Sequence, residues 1–206
     1  MKKLYTLLKD IDTIGTSHLK DVDIKGIAYH SGKVKEGYLF VAIKGYKTDG
    51  HKYIAEAIKK GAVALVVEEM QPDIKLPQIC VKNSRKALAL LSDAFYNHPT
   101  KDIRVIGITA TNGKTSSSFM TNTILEKAGF KTGIIGTIMT KFGNYIEPSI
   151  LTTPESLDLQ NYFYQMRRQK ISHAVMEVSS SALELHRVTG VDFDIVTLNN
   201  IGREHI

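Results

Sequence analysis

The sequence predicts an α/β fold made of an α/β domain followed by a second, parallel-sheet domain. The chain has 206 residues, whereas one domain usually holds about 100 to 150. Short apolar segments typical of strands alternate with segments whose apolar residues recur at helical spacing. The stretch Asn97-His98-Pro99-Thr100 interrupts this alternation, which then restarts. We therefore expect domains at residues 1–98 and 99–206.

In the first domain, the pattern predicts strands at residues 38–42, 62–67 and 79–81. Apolar residues at helical spacing predict a helix between the first two strands, and it should end at Gly61. A second helix is expected to begin after Asn83, which can cap it, and to end before His98-Pro99.

In the second domain, apolar runs predict strands at residues 103–108, 132–136, 173–178 and 193–198. Helices are expected at residues 116–128, after Pro154-Glu155, and at residues 179–185, while the polar segment 141–148 predicts a hairpin or loop. Strands separated by helices indicate a parallel sheet, which binds its ligands at the carboxyl ends of the strands.

The composition is that of a globular protein, with 43% hydrophobic and 23% charged residues. No apolar run reaches the roughly 18 residues of a membrane span, and no signal-peptide pattern follows Met1, so we expect a cytoplasmic protein with no membrane partner. The single cysteine, Cys80, lies in an apolar run and is expected to be a buried thiol.

The formal net charge is +6, and most of the excess falls in residues 1–98. The lysines there are scattered singly among acidic residues, without the basic and aromatic stripe typical of nucleic-acid binding. We therefore expect a small anionic ligand and no nucleic-acid partner.

Gly113-Lys114-Thr115 follows a predicted buried strand and opens a predicted helix. This context points backbone N–H groups and the positive helix end at a phosphate, brings the lysine to its β and γ oxygens, and offers a threonine hydroxyl to Mg²⁺. The tripeptide alone would be weak evidence, and five residues separate Gly107 from Gly113 where the general pattern has four. Nucleotide binding is nevertheless the prediction.

Glu177 stands at the exit of the predicted strand 173–178. A carboxylate there would lie beside the phosphate loop and could complete the oxygen shell of Mg²⁺. The alternative is an acidic residue that caps the helix that follows.

Several motifs together resemble those of the Mur ligases, the ATP-dependent amide-forming enzymes of peptidoglycan synthesis. The matching segments are Ala110-Thr111-Asn112-Gly113-Lys114-Thr115, Thr152-Thr153-Pro154, residues 177–180 and 186–188, and, in the first half, residues 37–42, Gly45, 49–51 and 61–62. The resemblance is to the members that add a diamino acid to UDP-N-acetylmuramoyl-L-alanyl-D-glutamate. It covers nearly the whole chain and implies a ligase that serves cell-wall biogenesis and, through it, cell shape and division.

The resemblance also implies roles for individual residues. ATP phosphates would be held by Ala110, Thr111, Asn112, Gly113, Lys114, Thr115 and Ser116. Catalysis would involve Lys114, Glu177 and His205, and Mg²⁺ would be bound by Thr115, Glu177 and His205. The uridine part of the substrate would contact Ser31, Tyr46, Lys47 and Thr48, and the muramoyl dipeptide Thr152, Thr153, Ser179 and Arg187.

Mur ligases have a UDP-binding domain, a central ATPase domain and a C-terminal domain that recognises the incoming amino acid. The chain reaches Glu204-His205-Ile206 within a segment similar to the family's Arg-Asp-His-Leu, so we expect the first domain and a truncated central one, inactive alone. The lysine that the family carbamylates and the pocket that selects the amino acid would lie beyond it. We expect a monomer.

This sequence departs from the family pattern at Gly32, Ala110, Leu151, Ser181 and Leu185. These changes leave open a non-catalytic nucleotide-binding paralogue. A second alternative, an amide ligase such as folylpolyglutamate synthase, is disfavoured because that enzyme lacks a domain like residues 1–98. If Ala110 needs a positive φ where the family has glycine, its replacement by glycine should tighten nucleotide binding.

Taken singly, two of the candidate sites have simpler interpretations. Arg187 could be a solvated cation at a helix end, and Thr152-Thr153-Pro154 could be a helix N-cap with proline in the first turn.

Overall fold

The computed structural model describes residues 1–46 and 48–202, and the chain divides into two compact units, Met1–Phe95 and Tyr96–Ile206. The predicted boundary after residue 98 falls at the start of a 3-10 turn, Pro99–Asp102, early in the second unit. No helix among the described residues is long and apolar enough to cross a membrane.

The first unit has a five-stranded sheet and a separate two-stranded one. Its strands are β1 (Lys2–Lys3), β2 (Thr13–Ser17), β3 (Asp23–Ile24), β4 (Gly26–Ala28), β5 (Tyr38–Val41), β6 (Ala62–Val67) and β7 (Gln78–Val81). Its helices are α1 (Leu4–Leu7), α2 (Ile54–Lys59) and α3 (Ser84–Phe95), with 3-10 turns at Ser31–Lys33 and Gly50–Tyr53.

The larger sheet of this unit has the strand order β2-β7-β6-β5-β4. Strands β4 to β7 pair in parallel, and β2 pairs antiparallel with β7 at the edge. Strands β5, β6 and β7 confirm the sequence predictions, whereas β2 was not predicted because its sequence, TIGTS, is polar and contains glycine.

The core of the first unit packs the sheet against α2, with Phe40, Ile54 and Leu65 almost fully buried. Strand β6 is a continuous apolar run, as expected for a strand with both faces covered. Cys80 is buried in the same cluster and its thiol contacts the Glu68 carbonyl oxygen at 3.4 Å, which confirms the predicted buried thiol. The Asn83 side chain caps α3 by accepting from the Lys86 N–H at 2.9 Å.

The second unit contains a six-stranded sheet with helices between its strands. Its strands are β8 (Arg104–Thr109), β9 (Thr132–Ile135), β10 (Met139–Phe142), β11 (Tyr145–Pro148), β12 (His173–Glu177) and β13 (Ile195–Leu198). Its helices are α4 (Lys114–Lys127), α5 (Ser156–Arg168) and α6 (Ser180–Glu184).

The strand order of this sheet is β11-β10-β9-β12-β8-β13. Strands β9, β12, β8 and β13 are parallel, while β10 pairs antiparallel with β9 and β11 antiparallel with β10. The expected parallel sheet is thus extended by an antiparallel hairpin, so the sheet is mixed. The hairpin is held by Phe142, which is fully buried and stacks on Tyr145 at 4.7 Å between ring centroids.

Helix α5 covers this sheet with Leu159, Phe163 and Met166, which recur at helical spacing and are fully buried. The register then determines which strand ends meet, because Glu177 of β12 pairs with Ile108 of β8, and Leu198 of β13 pairs with Thr109. The segments that follow β8, β12 and β13 therefore leave the sheet at the same edge.

Candidate active site

The loop between β8 and α4 has the geometry of an anion site. Gly113, the N-cap of α4, has φ of +85°, a left-handed conformation that favours glycine. Helix α4 begins at Lys114, two residues before the predicted start. The first helical bond runs from the Ser117 N–H to the Gly113 carbonyl at 3.0 Å, so the first-turn N–H groups stay outside the helical ladder and can bind an anion.

The Lys114 side chain folds back over this loop. Its ammonium group donates to the carbonyl oxygens of Ala110 at 2.7 Å and of Thr111 at 3.0 Å. The positive charge is thereby held next to the N–H groups of the helix start, which is where phosphate oxygens would need it.

Ala110 has an ordinary backbone conformation. Within residues 1–46 and 48–202, the non-glycine residues with positive φ are His18, Asn97, His98, Lys170 and His186, and Ala110 is not among them. The idea that alanine is strained at this position is therefore wrong.

Glu177, at the end of β12, is fully buried beside the phosphate loop. One carboxylate oxygen, Oε2, accepts from the hydroxyls of Thr115 at 2.9 Å and of Thr137 at 3.0 Å, and Oε1 accepts from the Thr137 N–H at 3.0 Å. Gly136 makes this approach possible, since a Cβ at that position would collide with Oε1.

No lysine, arginine or histidine within residues 1–46 and 48–202 forms an ion pair with Glu177. A buried carboxylate without a cationic partner is costly, and its contact with a threonine hydroxyl supplies two of the hard oxygen ligands that Mg²⁺ prefers. These residues fit Mg²⁺. The described part of the chain holds no cluster of three or more His, Cys, Asp or Glu side chains that could bind a metal, so the other ligands would have to come from water, from phosphate or from residues outside that part.

The alternative role for Glu177, capping the next helix, is not what the structure shows. Helix α6 is capped by Ser179, whose hydroxyl oxygen accepts from the Ala182 N–H at 3.2 Å. The carboxylate of Glu177 is bound by Thr115 and Thr137 instead.

The two threonines before Pro154 have different environments. Thr153 is fully buried, donates to the Glu177 carbonyl oxygen at 2.9 Å and accepts from the Ser179 N–H at 3.0 Å. Thr152 borders a cavity, and its hydroxyl oxygen lies 3.1 Å from that of Thr137. Of the two predicted substrate contacts, only Thr152 has access to a ligand, because Thr153 has both its hydrogen-bonding functions used inside the protein.

Arg187 is held in place and is not a solvated helix-end cation. Its Nε donates to the Glu155 carboxylate at 3.0 Å and one terminal nitrogen donates to the Thr153 carbonyl oxygen at 3.2 Å. Its side chain is 11% exposed and borders the same cavity.

This cavity, of about 710 Å³, lies at the edge of the sheet where β8, β12 and β13 end. Among its lining residues are the predicted site residues Ala110, Thr111, Lys114, Thr152, Ser179 and Arg187. Leu151, Ser181 and Glu184 line it as well, together with Leu198, Asn200, Ile201 and Gly202.

Comparison with known proteins agrees with this geometry. Residues 108–206 match the Mur ligase middle domain, and residues 23–96 match the catalytic domain of the Mur ligase family. The chain belongs to the Mur ligase family. Both matches contain the motifs on which the resemblance was based, including the phosphate loop in the second unit.

Among curated relatives, a UDP-N-acetylmuramoyl-L-alanyl-D-glutamate–2,6-diaminopimelate ligase from Bacillus licheniformis is 47% identical over 206 residues. The match covers all of this chain and 42% of the relative, so the chain spans less than half of that protein's length.

Two solved structures share the fold. A ligase of the same description has a TM-score of 0.75 at 24% identity, with 89% of this chain and 37% of the other covered. A MurF ligase from Thermotoga maritima in complex with ADP has a TM-score of 0.58 at 24% identity, with 89% and 39% covered.

Two polar residues at the site of this Mur ligase chain, Thr137 and Asn200, were not predicted from the sequence. Thr137 follows β9 and holds Glu177, while Asn200 follows β13 and is hydrogen-bonded to the phosphate loop. The signal that could have found them is their position, since polar residues just after parallel strands gather at the ligand edge of the sheet.

The candidate uridine contacts of the Mur ligase chain lie in the first unit. Ser31 is buried and donates to the Glu56 carboxylate at 2.8 Å, whereas Thr48 donates to the Tyr53 hydroxyl at 3.3 Å. Tyr46 is 80% exposed. Two predicted site residues, Lys47 and His205, lie outside the described residues.

Proposed function

We propose that this chain carries the nucleotide-binding parts of a ligase that joins a diamino acid to UDP-N-acetylmuramoyl-L-alanyl-D-glutamate at the expense of ATP. The observation that carries the proposal is the cavity of the second unit, which brings Lys114 and the first turn of α4 together with Arg187 and Thr152. The description of the 47% identical relative supports the substrate and the diamino acid. Such a reaction belongs to cytoplasmic peptidoglycan precursor synthesis and, through it, to cell-wall growth and division.

At the ATP end, the N–H groups of Lys114, Thr115 and Ser116 would bind phosphate oxygens, and the Lys114 ammonium would exchange its two carbonyl partners for the β and γ oxygens. Residues 110–113 would form the wall of the phosphate site. The ADP bound to the Thermotoga maritima MurF ligase is consistent with this nucleotide class.

Thr115 and Glu177 would hold Mg²⁺, with His205 as a further ligand from the part of the chain that is not described. The ion, when bound, supplies positive charge that stabilises the phosphoryl group in transfer. Thr137 would keep the Glu177 carboxylate turned toward Thr115.

At the substrate end, Arg187, Ser179 and Thr152 would position the muramoyl dipeptide. The D-glutamate carboxylate would attack the γ-phosphorus of ATP, forming an acyl phosphate and releasing ADP. The amine of the diamino acid would then attack the acyl carbon, and inorganic phosphate would leave. The contribution of the chain's own residues is positioning and charge stabilisation.

Residues 1–98 would hold the uridine part of the substrate through Ser31, Tyr46, Lys47 and Thr48, and residues 99–206 would form the ATP domain. The basic excess of the first part suits a diphosphate ligand. The full-length gene product is expected to act as a monomer.

The test is the substitution Lys114→Ala in the full-length gene product. Without the ammonium, the charge of the phosphoryl group in transfer is less well neutralised, a loss of several kcal/mol in comparable sites, so ATP turnover should fall at least about 100-fold. Ligase assays with UDP-N-acetylmuramoyl dipeptide, diaminopimelate or lysine, and Mg-ATP measure it. Lys127→Ala, at the exposed opposite end of α4, is the matched control and should leave turnover unchanged.

Unchanged turnover in Lys114→Ala would refute the role of the loop. A wild-type protein that binds Mg-ATP but forms no amide product with either amine would instead favour the non-catalytic paralogue, which the departures at Gly32 and Leu185 allow.

A further inference from the structure

The segment after β13, residues 199–202, is bound to the phosphate loop by side-chain and backbone hydrogen bonds. The Asn200 side chain binds both backbone groups of Asn112. Its Oδ1 accepts from the Asn112 N–H at 3.0 Å, and its Nδ2 donates to the Asn112 carbonyl oxygen at 2.8 Å. The Asn200 carbonyl oxygen also accepts from the Thr111 N–H at 3.2 Å.

A second contact lies beside the first. The Thr111 hydroxyl oxygen accepts from the Gly202 N–H at 2.7 Å and the hydroxyl lies 3.3 Å from the Gly202 carbonyl oxygen. The middle of the loop, residues 111 and 112, is thus hydrogen-bonded to the segment after the neighbouring strand.

These bonds decide which N–H groups can meet a phosphate. The N–H groups of Thr111 and Asn112 already have acceptors in Asn200, so they are engaged before any ligand arrives. The N–H groups of Lys114, Thr115 and Ser116, at the start of α4, have no acceptor within the helix. The available donors are therefore concentrated at the helix end of the loop.

We infer that Asn200 is a positioning residue for the phosphate loop, which it holds in its binding shape through its two side-chain bonds to Asn112. A side-chain amide suits this role because its oxygen can accept from the N–H of a residue while its NH₂ group donates to the carbonyl oxygen of that same residue. The inference rests on the proposed ATP site and adds to it a residue outside the phosphate-loop motif.

Asn199 provides a matched comparison. It is the same residue type one position earlier, and its side-chain Nδ2 donates to the Ser117 hydroxyl at 2.8 Å, on the second turn of α4. It has no side-chain bond to residues 110–113 among the contacts of the described chain. If the substitutions acted only through general stability, either asparagine would weaken nucleotide binding when replaced. If Asn200 positions the loop, only its replacement should do so.

The experiment compares Asn200→Ala and Asn199→Ala in the full-length gene product by calorimetry with Mg-ADP, together with the KM for ATP and for the UDP-N-acetylmuramoyl dipeptide. Asn200→Ala loses both bonds to Asn112 and should raise the Kd for Mg-ADP and the KM for ATP about tenfold. The KM for the dipeptide should stay within about twofold. Asn199→Ala should change the Kd by less than about threefold.

The isosteric variant Asn200→Asp guards against a folding defect. It keeps the shape and the acceptor, but it cannot donate to the Asn112 carbonyl and it places a negative charge beside the loop, so its Kd should rise by at least as much. Amide hydrogen exchange at Asn112 reports the loop directly and should accelerate in Asn200→Ala.

If the wild type binds Mg-ADP and the Kd is unchanged in Asn200→Ala or Asn200→Asp, the inference about Asn200 is overturned while the proposed ATP site stands. Equal losses in Asn199→Ala and Asn200→Ala, or equal rises in both KM values, would overturn it too. No binding of Mg-ADP by the wild type would overturn the proposed ATP site and this inference with it.

Discussion

Each unit of the chain contains a hydroxyl that donates to a glutamate, and the two pairs have different surroundings. In the first unit Ser31 donates to Glu56 at 2.8 Å, and in the second Thr115 donates to Glu177 at 2.9 Å. The Glu56 side chain is 44% exposed and pairs with Lys60 at 2.6 Å. Glu177 is fully buried and no described basic side chain pairs with it.

The difference shows that the hydrogen bond alone does not identify a metal site. The charge of Glu56 is already balanced by Lys60 and by solvent, so the pair needs no further cation. The charge of Glu177 is held only by hydroxyl and N–H dipoles, which leaves an electrostatic demand that a bound cation would meet. The comparison therefore favours a cation site at Thr115 and Glu177 and none at Ser31 and Glu56.

Among the substitutions that test this comparison, Glu177→Gln in the full-length gene product should have the largest effect. The amide has nearly the same size but no charge, so the Mg²⁺ concentration needed for half-maximal ATP binding should rise about 10–100-fold. Removal of an uncompensated buried charge should at the same time leave thermal stability unchanged or raised. Calorimetric Mg²⁺ titrations and thermal melts measure the two effects. An unaltered Mg²⁺ requirement combined with a lower melting temperature would show that Glu177, like Glu56, stabilises the fold and binds no cation.

A smaller effect is expected for Glu56→Gln, through the dependence of stability on pH. The hydrogen bond from Lys60, and then that from Ser31, lower the pKa of Glu56 from 4.5. A carboxyl whose pKa is lower when folded stabilises the fold above its unfolded pKa and loses that contribution as the pH falls through the folded pKa. Wild type should therefore be slightly more stable than the variant at pH 7, and the gap should close below pH 4.5.

Denaturant unfolding of both proteins between pH 3 and pH 7, at two salt concentrations, tests this difference. High salt should reduce the difference in stability, because the ion pair between Glu56 and Lys60 is exposed to solvent. The Mg²⁺ requirement of Glu56→Gln should equal that of the wild type, and a raised requirement would contradict the contrast between the two pairs.

The smallest effect is expected for Ala110→Gly. Ala110 has no positive φ, so glycine relieves no strain and only adds freedom to the loop. The Kd for Mg-ADP should change by less than about threefold, toward weaker binding. A tenfold tightening in calorimetry would show that the methyl group obstructs the phosphate.

The phosphate loop and Glu177 could be predicted because each is defined by local sequence, a strand end followed by particular residues. The bonds of Thr137 and Asn200 could not, since they depend on the strand order β9-β12-β8-β13. The alternation of strands and helices indicates that a parallel sheet forms but leaves the neighbours of each strand undetermined. The same limit hid the antiparallel hairpin at β10 and β11.

The different roles of Thr152 and Thr153 could not be predicted from the sequence either. Two adjacent threonines are chemically identical, and only the packed backbone shows that Thr153 points to the Glu177 carbonyl while Thr152 borders the cavity. Arg187 was open to two interpretations for the same reason, because its partner Glu155 is 32 positions away in the chain.

The position of Lys114 affects the entropy of ligand binding. A free lysine side chain samples many rotamers, and ordering one costs up to about 2 kcal/mol at room temperature. Here the ammonium is anchored by the carbonyl oxygens of Ala110 and Thr111, so that disorder is given up when the chain folds. An arriving phosphate has to replace these two carbonyl contacts, but it meets a side chain that is already ordered and does not bear the entropic cost of ordering a free lysine.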